Sequence, residues 1–272
     1  MKPQRIIYGT AWKKERTTDL VLAAWQAGFR AFDTACQPKH YREDLVGEAL
    51  IKIMQTGAKR SDLYLQTKFT PISGQDAASI PYNPALPVAQ QIAQSFAISQ
   101  KNLNTAYLNA LILHSPLASV EATLDAWRAM EIIFNQGGTQ QLGISNCYDV
   151  DFFKQLYARS NVKPTILQNR FYAKTGYDAA LRAFCVEQDV CYQSFWSLTA
   201  NPHILEQAFI TLLYRRLCKT PAQIFLRYLT ARDITPLTGT CDVQHMQEDL
   251  SIFDFELSAD ELASIDHLLV AL

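Results

Sequence analysis

Eight short runs of β-forming residues alternate with amphipathic stretches along this chain, and that alternation constrains the fold more than any other feature. The strand candidates are Arg5–Gly9, Phe29–Asp33, Leu63–Lys68, Tyr107–His114, Gln141–Ser145, Thr165–Gln168, Val190–Phe195 and Ile234–Leu237. Helical periodicity fills 17–27, 43–56, 88–101, 119–135, 148–158, 177–187, 204–217 and 221–231. A last helix is predicted over 258–269, where Ser258 and Glu261 stand in capping-box spacing. Thr17 or Thr18 can cap the first helix and Gly28 can stop it, while Thr220-Pro221 supplies a cap and an N1 proline later on. Strands separated by helices run parallel, because a parallel pair needs a crossover. Eight such units predict a single-domain (β/α)8 TIM barrel over residues 1–272; an open doubly wound sheet is the rival, but no G-x-G-x-x-G follows any strand.

The residue balance narrows the partners. Twenty-five basic and 26 acidic residues give a formal net charge of -1, with no run of five like charges, so no nucleic-acid partner is expected. Apolar stretches are strand-sized, and Met1-Lys2-Pro3-Gln4-Arg5 leads into no signal-like hydrophobic region; a cytoplasmic protein with no membrane partner is the expectation. Cys36, Cys147, Cys185, Cys191, Cys218 and Cys241 form no C-x-x-C pair and no zinc-like spacing. They are expected to be reduced thiols packed as small hydrophobes, with no metal site. Cys36 and Cys147 fall close to the predicted mouth, where oxidation could reach them. Without a coiled coil or repeat, a monomer is expected. Pro71, Gly74, Pro81, Pro84 and Pro87 forbid regular helix between Thr70 and Pro87, which marks a rim or lid after the third strand.

In a barrel of this kind, chemistry lies where strands end. Those positions hold Asp33, Tyr41 in the loop that follows, Lys68 and His114. Each alone has a plain explanation: a turn cap, a packed ring, a hydrogen-bonded histidine. Lys68 is the hardest to explain away, since an ammonium ending an apolar strand needs a carboxylate or a substrate. Together they suit one reaction. A phenol with a pKa of about 10 gives up its proton reluctantly; an ammonium beside it lowers that pKa, and an aspartate keeps the lysine charged. With a histidine to position the oxygen, such a group protonates a carbonyl as hydride reaches its carbon. A Schiff base on Lys68 is the alternative, against which the adjacent Asp33 argues.

Gly9-Thr10, Asp33-Thr34-Ala35 with Tyr41, Gly47-Glu48-Ala49-Leu50, Thr67-Lys68, Leu113-His114-Ser115-Pro116, Gly143-Ile144-Ser145-Asn146, Lys219-Thr220-Pro221-Ala222-Gln223 and Phe253-Asp254-Phe255-Glu256-Leu257-Ser258 together resemble the aldo-keto reductase family. The resemblance runs from about Ile6 to about Leu268. It implies an NAD(P)H-dependent reductase of aldehydes or ketones, with Tyr41 the general acid, Lys68 and Asp33 its tuners and His114 the orienter of the carbonyl. It further implies that Ser145, Asn146 and Gln168 bind the nicotinamide carboxamide, that Phe195 stacks on that ring, and that Gly9 and Thr10 belong to the cofactor site. Trp12 and Trp196 are candidates for the substrate mouth. A nicotinamide-binding regulatory or redox-sensing protein with weak catalysis is the alternative function.

Two positions depart from the family pattern. Asp33 and Tyr41 are eight apart where five is usual, so Cys36–His40 must bulge to bring the phenol in. After the eighth strand, Gly239 and His245 stand where the family commonly has a lysine and an arginine on the 2′-phosphate. The amides of Gly239 and Thr240 with the hydroxyls of Thr238 and Thr240 could bind phosphate as a nest, with Glu248 and Asp249 on the adenine. NADPH is the expected cofactor and NADH the alternative.

Overall fold

The computed structural model describes residues 5–270, so the Met1–Gln4 start lies outside the described residues. Strands β1 (Ile7–Gly9), β2 (Ala31–Asp33), β3 (Tyr64–Phe69), β4 (Ala110–Leu113), β5 (Leu142–Ser145), β6 (Ile166–Arg170), β7 (Cys191–Phe195) and β8 (Ile234–Thr238) close into a barrel in chain order. All pairs are parallel, and Ile7 opposite Leu237 and Tyr8 opposite Thr238 seal the ring. Around it lie α1 (Thr17–Ala27), α2 (Glu43–Gln55), α3 (Val88–Asn102), α4 (Val120–Asn135), α5 (Val150–Arg159), α6 (Ala179–Glu187), α7 (Pro202–Leu205), α8 (Ala208–Leu217), α9 (Pro221–Ala231), α10 (Val243–Leu250) and α11 (Ala259–Val270). The predicted barrel is the observed one.

The two-residue period of a strand sorts side chains between barrel interior and helix layer. In β3, Leu65 and Phe69 join the apolar layer under the helices, whereas Tyr64, Gln66 and Lys68 face inward. Inward residues change character with height. Ile7, Ala31, Tyr64, Ala110, Ile112 and Ile166 form an apolar plug low in the barrel. One inward position higher, Asp33, Gln66, Gln168 and Gln193 form a buried polar layer, with Lys68 one step above Gln66 and bonded into it. Gly47 lets α2 meet the end of α3, because a Cβ there would lie 1.8 Å from the Asn102 carbonyl oxygen.

Several boundaries differ from expectation. Neither Thr17 nor Thr18 caps α1: a 3-10 turn over Lys14–Arg16 runs straight into it, and the Thr17 hydroxyl instead donates to the Lys14 carbonyl at 2.6 Å. The helix predicted over 204–217 is two, α7 and α8, with Gln207 extended between them. Ahead of α6, Tyr177 and Asp178 both sit at φ 53, so helix begins only at Ala179. The fourth strand is trimmed to four residues, with Leu108 bridging only Thr139. Helix α10 escaped prediction because only Met246 and Asp249 are buried on it; the Asp242 carboxylate caps it, accepting from the amides of Gln244 and His245. Gly28 at φ 122, the Thr220 cap with Pro221 behind it and the Ser258–Glu261 box are as expected, and Gln223 completes a second box with Thr220.

Candidate active site

Asp33 ends β2 and Lys68 stands beside it on β3. The Lys68 Nζ donates to both Asp33 oxygens at 2.6 Å and to the Thr34 carbonyl at 3.0 Å, which occupies all three of its donors. The pair is fully buried. Such a pair holds together only if the remaining lone pairs are met. Here Gln66 and Gln168 donate to Asp33 at 2.7 and 3.1 Å, and Gln193 links the two amides. Burial lowers the Lys68 pKa, and Asp33 opposes that shift.

The long Asp33–Tyr41 connection is absorbed in two steps. Cys36 extends the sheet by bridging Phe69, and then Gln37 accepts from the amides of His40 and Tyr41, turning the chain back over the mouth. Gln37 ties this turn to the Thr70–Pro87 loop by donating to the Gly74 carbonyl at 2.6 Å. The Tyr41 ring then lies 6.0 Å from the His114 ring, edge to face, with Lys68 Nζ 5.2 Å from its centroid. The expected lowering of the phenol pKa is not what results. Burial first, and the Asp33 carboxylate second, push Tyr41 up, while Lys68 is clasped by Asp33 and lies over the ring. His114 is held well below its ordinary pKa by burial, by Lys68 and by His40, so its imidazole is neutral. Its Nδ1 lies 2.6 Å from the Thr70 hydroxyl. Thr70 was not singled out from sequence as more than the start of a loop; its carbonyl also accepts from Tyr82 and Gln75, which pin that loop.

Asp33, Tyr41, Thr70 and His114 share a cavity of about 1140 Å³ that also reaches Trp12, Ser145, Asn146, Gln168, Phe195, Trp196 and residues between Thr238 and Asp249, whereas Lys68 is buried behind its wall. Thr10 stays below it, buried, its hydroxyl on the Asp33 carbonyl. Residues 5–200 match the family model described as Aldo/keto reductase family. The chain belongs to that family. It is an oxidoreductase, and this aldo-keto reductase is 27 % identical over 251 residues to the glyoxal reductase of Bacillus subtilis, covering 92 % of this chain and 83 % of that one. It is 26 % identical to the NADPH-dependent alpha-keto amide reductase of Saccharomyces cerevisiae, over 96 % and 84 % of the two chains. Among solved structures, an aldo/keto reductase from Brucella melitensis superposes with a TM-score of 0.80 at 25 % identity, covering 97 % and 94 %.

The other end of the cavity departs from expectation. Thr238 does not contribute a free hydroxyl: it donates to the buried Asp249 carboxylate at 2.5 Å, whose pKa burial pushes up to about 6. Glu248 accepts from Gln244 at 2.8 Å. Lys13, which sequence reasoning passed over, reaches across from the loop after β1. Its Nζ donates to the Gly239 carbonyl, lies 3.5 Å from Cys241 Sγ, and sits 3.5 Å from where a Cβ on Gly239 would be. Lys13 is only 8 % exposed and forms no ion pair among the described residues. The signal in sequence was the glycine itself, which leaves room for a cation from elsewhere.

Three of the ten non-glycine residues with positive φ among the described residues lie at the mouth. Trp12, Asn146 and Trp196 adopt φ of 63, 54 and 57, a region costing side-chain-bearing residues about 1–3 kcal/mol each. Asn146 holds this shape by donating to the His114 carbonyl at 2.8 Å and accepting from Tyr148 at 3.2 Å. All six cysteines are free, but Cys218 and Cys241 are exposed rather than packed. Cys36 and Cys147 are not oxidation-prone: both are buried and their thiols are pushed up to about 12, away from the reactive thiolate. Among the described residues no His, Cys, Asp or Glu cluster could hold a metal, and no helix is long and apolar enough to cross a membrane.

Proposed function

We propose that this chain reduces an aldehyde or ketone to the alcohol with NADPH, using Tyr41 as general acid, Lys68 and Asp33 as its electrostatic partners, and His114 to orient the carbonyl. The observation that carries the reading is the meeting of one phenol and one neutral imidazole in a single large cavity, with the buried Lys68 ammonium 5.2 Å from the phenol ring centroid behind its wall.

The cofactor fits the residues present. Gln168 uses its amide hydrogens on Asp33 and Gln193, which leaves its oxygen to accept from a carboxamide; the Ser145 hydroxyl is a ready donor beside it. Phe195 offers a flat face, and Gly9 and Gly239 keep side chains out of the channel. Lys13, with the Gly239 and Thr240 amides, the Thr240 hydroxyl and His245, offers a phosphate site, and Glu248 and Asp249 face the adenine end. When bound, the dihydronicotinamide supplies hydride.

Tyr41 keeps its proton until it is needed, since burial and Asp33 disfavour the phenolate. If the Thr70 hydroxyl donates to His114 Nδ1, the neutral ring carries its hydrogen on Nε2 and donates it to the carbonyl oxygen. That oxygen is then held between imidazole and phenol. As negative charge grows on it, Tyr41 passes over its proton, because an alkoxide is the stronger base. Lys68 stabilises the phenolate left behind. Trp12, tilted against the His40 ring at 3.8 Å between centroids, and Trp196 wall the substrate end.

The test is Tyr41→Phe. Loss of a general acid removes about 10²–10⁴-fold of the rate. The variant should lose carbonyl-dependent NADPH oxidation by that factor while its NADPH Kd, read by tryptophan quenching, stays within about twofold. Full activity in Tyr41→Phe would remove the assignment.

A further inference from the structure

We propose that Arg170 anchors an anionic group, a carboxylate in the simplest case, on the carbonyl compound reduced here. The proposal rests on the reductase reading and adds the class of substrate. Alternation along β6 puts Ile166 in the apolar plug and Gln168 in the polar layer, so Arg170 is the next inward position, at the mouth. It lines the same cavity as Tyr41 and His114. Its guanidinium joins no ion pair among the described residues, and its Nε is buried without a hydrogen-bond partner. A half-buried guanidinium with no internal counter-charge among the described residues keeps its charge for an incoming anion.

The guanidinium is also aimed. Trp196 lies 4.3 Å from it, ring centroid to Cζ, and Tyr172 lies 5.3 Å away. Trp196 holds that place in a left-handed backbone conformation that a tryptophan adopts only when its surroundings impose it. A guanidinium stacked on a ring keeps its edge open, and that planar edge matches a carboxylate with two parallel hydrogen bonds.

The anion belongs to the substrate rather than to a cofactor phosphate by position. Arg170 pairs in register with Phe195, the ring proposed to meet the nicotinamide. Lys13, Gly239 and Thr240, the phosphate groups, gather at β8 and β1, two strands and about 10 Å further round the barrel. On the opposite side β2 carries Asp33 and leads to Tyr41. A carbonyl held at Tyr41 and His114 therefore has its remaining length directed across the mouth toward Arg170.

The experiment compares kcat/KM for 4-carboxybenzaldehyde and 4-methylbenzaldehyde, nearly equal in shape, in wild type, Arg170→Gln and Arg170→Lys, with the NADPH Kd of each. Wild type should prefer the carboxylate at least tenfold. Arg170→Gln should cut the charged-to-neutral ratio by about ten- to a hundredfold, mainly through KM, and Arg170→Lys should keep part of it. An unchanged ratio overturns the proposal. So does a loss in NADPH affinity that matches the change in KM, which would give the guanidinium to a cofactor phosphate. If wild type reduces neither aldehyde, the reductase reading fails by itself, and the anchor is then judged by binding alone. In that case 4-methylbenzoate should quench tryptophan emission in wild type and not in Arg170→Gln; equal quenching would overturn it.

Discussion

The two sides of the barrel mouth treat charge in opposite ways. On the β2–β4 side the cation and the imidazole have internal partners: Lys68 is clasped by Asp33, and His114 meets Thr70. On the side running from β6 round to β1, Arg170 and Lys13 are cations in no ion pair among the described residues. A group that moves protons must have its protonation state and position fixed before substrate arrives. A group that binds an anion must keep its charge for the anion. On the proposed reading, the partnering of a residue separates a chemical side from a binding side.

The most direct way to break the first side is Lys68→Met, which leaves the Asp33 carboxylate buried without its cation. Removing one member of such a pair costs about 3–5 kcal/mol, so the Tm should fall by roughly 10 °C, and reduction should be lost. Asp33→Asn added to Lys68→Met should restore most of the Tm but none of the activity. Calorimetry of the two variants checks both halves. A single variant that melts with the wild type would mean that the pair is not the strut it resembles.

The barrel was legible because strand and helix periods differ, and eight changes of period survive even where boundaries slip. Asp33, Lys68 and His114 were legible for a related reason: a polar residue ending an apolar run has nowhere to point but the mouth. What escaped was contact between distant segments. Thr70 is unremarkable beside Lys68 until the fold brings it to His114, and Lys13 has meaning only through Gly239, 226 positions away. The rise in the Tyr41 pKa escaped because the sequence shows neither how deeply the phenol is buried nor that the Asp33 carboxylate faces it as well as Lys68. Helix α10 was missed because its one buried apolar side chain, Met246, sets no period.

The second side is sharpened by Lys13→Met. No carboxylate is stranded by this change, so the Tm should move little. A charge-assisted contact is worth about 1.5–3 kcal/mol, so NADPH should bind about ten- to a hundredfold more weakly. Lys13 adjoins the β8–α10 loop, so NADH, which lacks the 2′-phosphate, should lose less. Titration of each nucleotide by tryptophan quenching reads the ratio directly. Equal loss for both would move the ammonium to the pyrophosphate they share.

The smallest effect tests how finely the first side is set. Thr70→Val keeps the shape of the side chain and removes the hydroxyl that meets His114 Nδ1. A neutral hydrogen bond is worth about 1 kcal/mol, so kcat/KM should fall roughly five- to tenfold, and Thr70→Ser should recover most of it. Loss of packing alone would not move the ring's hydrogen. In wild type the 15N shifts of His114 should report a single tautomer with hydrogen on Nε2, whereas Thr70→Val should give a mixture. The pH profile supplies the control. An imidazole whose folded pKa lies below its ordinary value is already neutral near that value. Wild-type kcat/KM should therefore show no acid limb at roughly pH 6.5, and Thr70→Val should lower the plateau without bending it. A new acid limb in the variant would mean that Thr70 governs the charge of His114 rather than the place of its proton.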